Sequence, residues 1–147
     1  MNSVQTDQAQ SLAAMDGSSL SLPMGLLGFE KTKRFNLQTI SDASPLFWLE
    51  VAESINKGFY ALCPEGWVDN YQPKFCHQDL DFLGLKDPSE AVILNLATVA
   101  PSGEIILHLR APILINPKTK VGKQVVPNNV EDIPACRPID APAAIAA

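Results

Sequence analysis

The sequence is poor in the residues that catalytic and metal chemistry needs. It has two histidines, His77 and His108, and three cysteines, Cys63, Cys76 and Cys136. The cysteines share no close pair of the Cys-x-x-Cys kind, whereas structural zinc takes four ligands supplied at short spacing. A grouping of Cys63, Cys76 and His77 as a small metal or thiol site is therefore a secondary reading. Burial of Cys63 at a strand end and of Cys76 at a helix start accounts for them more simply. No glycine-rich phosphate loop and no Gly-x-Ser-x-Gly elbow occurs. With two histidines a nucleophilic triad has few candidates. No catalytic residue, cofactor or metal is expected.

Long apolar runs are also lacking. A membrane helix needs about 20 apolar residues, and the longest apolar stretch, 91–100, is interrupted by Asn95 and Thr98. Residues 1–19 lack a basic stretch followed by an apolar run, so no secretory leader is expected. The expected setting is a reducing cytoplasm with reduced thiols and no membrane contact. Basic charge is scarce as well. Eleven Lys and Arg against sixteen Asp and Glu give a net charge of −5. This argues against a general nucleic-acid binder, which needs basic surface for phosphates. It suits a basic protein partner.

What the sequence has is a composition for one packed domain. The 147 residues are 46% hydrophobic and 18% charged, which excludes wholesale disorder. Residues 1–19, rich in Ser, Gln, Ala and Asp, read as a flexible polar segment. A helix near 9–15 is conceivable but poorly capped. Residues 140–147 form an Ala/Pro-rich tail, leaving 20–139 as the domain. Twelve prolines and eight glycines cut that domain into short pieces. β-Branched and aromatic residues in the pieces predict strands at 34–37, 46–52, 58–63, 91–99, 104–110, 112–116 and 123–126.

In the run 104–110, Ile105, Leu107 and Leu109 share one face, while Ile106, His108 and Arg110 share the solvated one. The uniformly apolar run 91–96 predicts a central strand. One short helix is predicted at 77–84, with Leu80 and Leu83 at i, i+3 and Gly84 as a left-handed cap. Seven short strands and one helix predict a mainly β fold: a small closed or nearly closed antiparallel barrel with one short capping helix.

Charge is unevenly placed. Between 65 and 90 lie the acids Glu65, Asp69, Asp79, Asp81, Asp87 and Glu90 against Lys74 and Lys86. Asp79 and Asp81 stand at i, i+2 on the helix and diverge, so they form no carboxylate dyad; the helix dipole accounts for them. Trp67 and Tyr71 stand among the acids, and such residues commonly anchor interfaces. Glu65, Trp67, Asp69, Tyr71, Asp79 and Asp81 are accordingly the expected partner-binding residues. A second charged stretch, Arg110, Lys118, Lys120 and Lys123, holds no acid. It supports the alternative of an RNA-binding barrel using the hairpin 110–123, although aromatic stacking residues are not interleaved.

Three segments carry a family resemblance. They are Leu22-Pro23-Met24-Gly25-Leu26-Leu27-Gly28-Phe29-Glu30 with Arg34-Phe35; Phe59-Tyr60-Ala61-Leu62-Cys63-Pro64 leading through Asp69-Asn70-Tyr71-Gln72-Pro73 to Leu83-Gly84-Leu85; and Leu109-Arg110-Ala111-Pro112-Ile113-Leu114-Ile115-Asn116 with 118–126. In order and spacing this pattern resembles the flagellar assembly factor FliW family. The chain departs from that pattern at Leu27, where proline is usual, and at Glu50-Val51, where Gln-Ser is frequent. Gly25 and Gly28 suit tight turns, Phe29 suits a barrel plug, and Pro112 suits an edge position. The resemblance implies a cytoplasmic, non-enzymatic β-barrel with two protein partners. One is CsrA, a basic RNA-binding translational repressor of flagellin mRNA; the other is flagellin, which competes for the barrel. It implies no direct contact with nucleic acid. The acidic stretch 65–90 is the expected face for the basic partner.

Overall fold

Alternation of apolar and polar residues in short strands leaves each strand with one face to bury, and closing the sheet on itself buries all of them at once. A computed structural model describes residues 7–41, 44–54 and 56–139. Its strands are β1 (Ser19–Ser21), β2 (Arg34–Thr39), β3 (Phe47–Val51), β4 (Gly58–Leu62), β5 (Val92–Val99), β6 (Ile105–His108), β7 (Ile113–Asn116), β8 (Val121–Gln124) and β9 (Cys136–Ile139). They form one sheet in the order β4-β3-β2-β1-β8-β7-β5-β6-β9, and β4 also pairs with β5. That pairing closes a seven-stranded barrel of β1–β5, β7 and β8. The expected closed barrel is present, with one addition: β1 runs parallel to β8, through Ser21 and Val121.

β5 pairs with two successive strands along one edge. Its first half pairs with β7, from Val92 opposite Ile115 to Leu94 opposite Ile113. Its second half pairs on the same edge with β6, from Ala97 opposite Leu107 to Val99 opposite Ile105. Between β6 and β7 the chain passes through Pro112, which is buried just before β7 begins. It lacks a ladder donor, and its carbonyl accepts from Val125 N–H at 2.9 Å. β9 then adds to β6, from Ile105 opposite Ile139 to His108 opposite Cys136.

The barrel interior holds Leu20, Leu22, Phe35, Leu37, Phe47, Leu49, Ala61, Val92, Leu94, Ile113 and Ile115. Trp48 and Tyr60 face outward from β3 and β4 as an edge-on pair with ring centroids 4.9 Å apart. Outside the barrel, a second cluster joins β6 and β9 to the loop after β4. A third lies between β7–β8 and the helix α2 (His77–Phe82), predicted at 77–84.

α2 ends as its sequence dictates. Gly84 has φ +71°, Gly84 N–H donates to Asp81 O at 3.0 Å, and Leu85 N–H donates to Leu80 O at 2.9 Å. This is the Schellman cap, and the buried pair Leu80 and Leu85 supplies its apolar contact. Asn116 at the end of β7 donates from Nδ2 to Leu83 O at 2.8 Å, tying the helix end to the barrel.

Three sequence expectations change. Residues 1–19 are not simply a flexible segment: their described part forms α1 (Asp7–Ala14) and the start of β1, and buries Leu12 and Met15 in the barrel core. An eight-residue helix is too short to persist alone, and its burial over one barrel mouth holds it. The strand expected at 123–126 is instead Val121–Gln124. Lys120, at φ +60°, turns the chain so that pairing restarts at Val121. Gly122 suits that strand because a Cβ there would crowd the Leu22 side-chain end at 2.8 Å and Leu114 O at 3.0 Å. Finally, β1 and β9 are present although neither was predicted as a strand. The tail 140–147 lies outside the described residues.

Candidate protein-binding face

The loop between β4 and α2 carries Glu65, Trp67, Asp69 and Tyr71, and buried anchors fix its course. Trp67 and Val68 N–H both donate to Pro64 O, at 2.9 and 3.0 Å. The rings of Trp67 and Tyr71 are half-buried against the outer cluster of Leu62, Leu107, Leu109 and Ile133. Tyr71 Oη donates to Leu109 O at 2.7 Å and accepts from Asn95 Nδ2 at 3.0 Å. Asn95, fully buried on β5, also donates to His108 O at 2.9 Å. Tyr71 is thus a pin between loop and barrel rather than an exposed anchor. Burial pushes its hydroxyl pKa up to about 12, opposed in part by the hydrogen bond from Asn95.

This pin predicts an alkaline stability profile. The unfolded tyrosine titrates near 10, so the unfolded state loses its proton first. Tyr71's contribution is complete below about pH 10 and is lost as pH rises towards the folded value of about 12. Tyr71→Phe is expected to cost about 1 kcal/mol at neutral pH through the lost hydrogen bonds and to flatten the decline above pH 10. Urea unfolding at a series of pH values checks this; an identical alkaline slope in both proteins would contradict it.

The carboxylates of the acidic stretch have different fates. Asp79 is buried and bound: its Oδ1 accepts from Lys123 Nζ at 2.6 Å and its Oδ2 from Cys76 Sγ at 3.2 Å. Lys123 Nζ also lies 5.2 Å from the Phe82 ring centre. Asp87 and Glu90 form a capping box, with Asp87 Oδ1 accepting from Ser89 N–H and Glu90 Oε1 from the N–H of Lys86 and of Asp87. These backbone donors hold both carboxyls below their usual range. Glu65, Asp69 and Asp81 are exposed, and the single ion pair among the described residues is Lys123 with Asp79.

The structure therefore gathers Glu65, Trp67, Asp69 and Tyr71 on one loop and separates them from Asp79 and Asp81. α2 packs over β7 and β8, a different wall from the one the loop covers. Two clefts flank the loop. One, of about 330 Å³, runs between Glu65, Tyr71, Gln8 and Ile93. The other, of about 280 Å³, is bordered by Asp69, Tyr71, Asp132 and Arg137. Asp132 joins the acidic face through the short turn Val130–Asp132, and Asn129 Nδ2 anchors that turn to Gln72 O at 3.0 Å. Sequence reading missed Asp132 because it lies some sixty residues from Asp69 along the chain.

The residues of the two alternative readings are dispersed. Cys63 lies inside the barrel, Cys76 precedes α2 on the outer wall and Cys136 is exposed on β9. Among the described residues no group of three or more His, Cys, Asp or Glu side chains could hold a metal. The basic stretch is likewise divided. Arg110 donates from Nε to Ile133 O at 2.6 Å before β7 begins, Lys118 and Lys120 sit in the turn after β7 ends, and Lys123 is bound to Asp79. Among the described residues no helix is long and apolar enough to cross a membrane.

Comparison with known proteins agrees with the fold. The family model described as FliW protein matches residues 3–139. A flagellar assembly factor FliW of Natranaerobius thermophilus is 34% identical over 110 residues, covering 73% of this chain and 72% of that protein. One of Leptospira interrogans is 30% identical over 128 residues, covering 86% of this chain and 85% of the other. A crystal structure of the flagellar assembly factor FliW superposes with a TM-score of 0.68 over 84% of each chain, at 23% identity. With a matching family model across nearly its whole length, and relatives named as flagellar assembly factors, the chain belongs to the FliW family.

Proposed function

We propose that this chain is a cytoplasmic, non-enzymatic regulator that binds a CsrA-type translational repressor and relieves its hold on flagellin mRNA, with flagellin as the competing partner. The observation that carries this reading is the fixed loop with exposed Glu65 and Asp69, to which the fold adds Asp132. Carboxylates held on an ordered loop favour a basic protein surface and speed its encounter. Half-buried Trp67 and Tyr71 give the loop a rigid base, so little ordering entropy is lost on binding. Asp81 forms a separate acidic point on α2, and Asp79 acts structurally through Lys123.

Isothermal titration with the CsrA homologue and with flagellin of the same organism, each at two salt concentrations, tests the proposal. The repressor should bind tightly and with strong salt dependence, and flagellin should displace it. Glu65→Lys with Asp69→Lys should weaken repressor binding by about tenfold or more, and flatten the salt dependence. Asp81→Lys should have a smaller effect. Unchanged affinity in the double variant refutes the placement, and no binding to either partner refutes the function.

A further inference from the structure

Among the described residues five large apolar side chains are exposed, and three of them, Met24, Leu27 and Phe29, lie within six residues on the loop joining β1 to β2. They are 56%, 63% and 52% exposed. Phe29, expected to plug the barrel, instead rests edge-on against Phe59 with ring centroids 5.1 Å apart and leaves half its surface in solvent. The loop is at the barrel mouth where β2 begins, β3 ends and β4 begins, the mouth opposite α1 and the exit of β4 towards Glu65.

This exposure belongs to a fixed loop. Leu26 and Phe29 form a two-way backbone bridge: Phe29 N–H donates to Leu26 O at 2.7 Å and Leu26 N–H to Phe29 O at 3.3 Å. Leu27 and Gly28 are the tip of this turn, and Gly28 takes the φ of +85° that the turn requires. Leu27 N–H donates to Gln124 Oε1 at 2.7 Å, and Gln124 donates in turn to Ala111 O at 3.1 Å. Gly28 N–H donates to Glu30 Oε2 at 2.9 Å. A loop whose every tip N–H is satisfied holds its apolar side chains in water with little freedom left to lose on docking.

The flank is basic although the chain as a whole is acidic. Beside the tip runs a groove of about 320 Å³, lined by Lys31, Lys33 and Arg34 on one side and by Val51, Glu53 and Ser54 on the other. The one acid within the loop, Glu30, has its carboxylate turned back onto Gly28 N–H, which holds its pKa low. Lys31, Lys33 and Arg34 outnumber Glu30 and Glu53 there, so the charge beside Met24, Leu27 and Phe29 is net positive.

We infer that this mouth is a second docking surface, for a protein segment whose apolar stripe is bordered by carboxylates. The stripe covers Met24, Leu27 and Phe29, and the carboxylates enter the groove at Lys31, Lys33 and Arg34. Its charge preference is opposite to that of the Glu65–Asp69 loop, so the two surfaces select different partners and lie at different ends of the barrel.

Fluorescence anisotropy with labelled synthetic helices of about 18 residues, roughly five turns, tests the inference on the full chain. One peptide carries leucine on one face and glutamate on the other; a second replaces glutamate by lysine; a third replaces leucine by serine. The Leu/Glu peptide should bind, and the other two should bind at least about tenfold more weakly. Leu27→Asp and Met24→Ser, both at solvent-facing sites, should each weaken it by about tenfold. Lys31→Glu should weaken it by about fivefold. Glu65→Lys with Asp69→Lys should leave it unchanged. Absence of Leu/Glu binding, equal binding of the Leu/Lys peptide, or indifference to both Leu27→Asp and Met24→Ser overturns the inference. So does sedimentation showing a wild-type dimer that Leu27→Asp dissociates, because the occupant would then be a second copy of this chain.

Discussion

Gly25→Ala is expected to destabilise the barrel by roughly 3 kcal/mol, the sum of left-handed backbone strain and overpacking. Gly25 has φ +68°, and a Cβ there would stand 2.6 Å from Glu30 Cα and 2.7 Å from Glu30 O. Both obstacles are backbone atoms of the returning side of the loop, so no side-chain rotation relieves them. Gly25 N–H also donates to Leu22 O at 2.7 Å, so the chain cannot swing away without losing that bond. Gly17 supplies the comparison. It has φ +82° but nothing within 4 Å of its would-be Cβ, so Gly17→Ala should cost only about 1 kcal/mol. Urea unfolding midpoints of the two variants, at an unchanged slope, read the difference. Equal losses would show that close approach at Glu30 contributes nothing.

Leu12→Ala should cost about 3 kcal/mol, within the range for emptying a fully buried leucine site. Leu12 has no exposed surface and sits with Met15, Leu37 and Phe47 in the barrel core. Polar contacts secure the same segment: Gln8 Oε1 accepts from Ile93 N–H at 3.0 Å, and Asp16 Oδ1 accepts from Thr39 N–H at 2.7 Å. The helix therefore closes one barrel mouth and extends the hydrogen bonding of β5. The measurement is the denaturant midpoint, with amide exchange across 7–14 as a local readout. Stability unchanged by Leu12→Ala would mean that the segment is only loosely attached.

The elements legible in the sequence are those whose signal is local. The alternation through Ile105, Leu107 and Leu109 puts those residues on one buried face and His108 on the exposed one, as observed. The α2 cap was readable because Leu80, Leu83 and Gly84 lie within five residues. β1 carried too little pattern in three residues, Ser19–Ser21, to be recognised. α1 carried weak periodicity and no cap. In both cases the stabilising contacts come from residues distant in sequence, a contribution that local propensity does not contain.

The candidate face divides in the same way. Exposure of Glu65 and Asp69 follows from charge in a loop between two apolar segments. The burial of Asp79 does not, because its partner Lys123 is 44 residues away and meets it only when α2 packs over β8. Tyr71 reads as an interface anchor until Asn95 and Leu109 are brought under its hydroxyl. The exposed tip at Leu27 likewise depends on Gln124, 97 residues on. Composition and local pattern specify a short-stranded β-barrel, its family resemblance and an uneven charge. Only contacts in space fix which strands meet to close the barrel, the parallel β1–β8 contact and which charges remain available to a partner. The physical reason is that strand pairing and ion pairing depend on distance in space, while periodicity and composition record only neighbours along the chain.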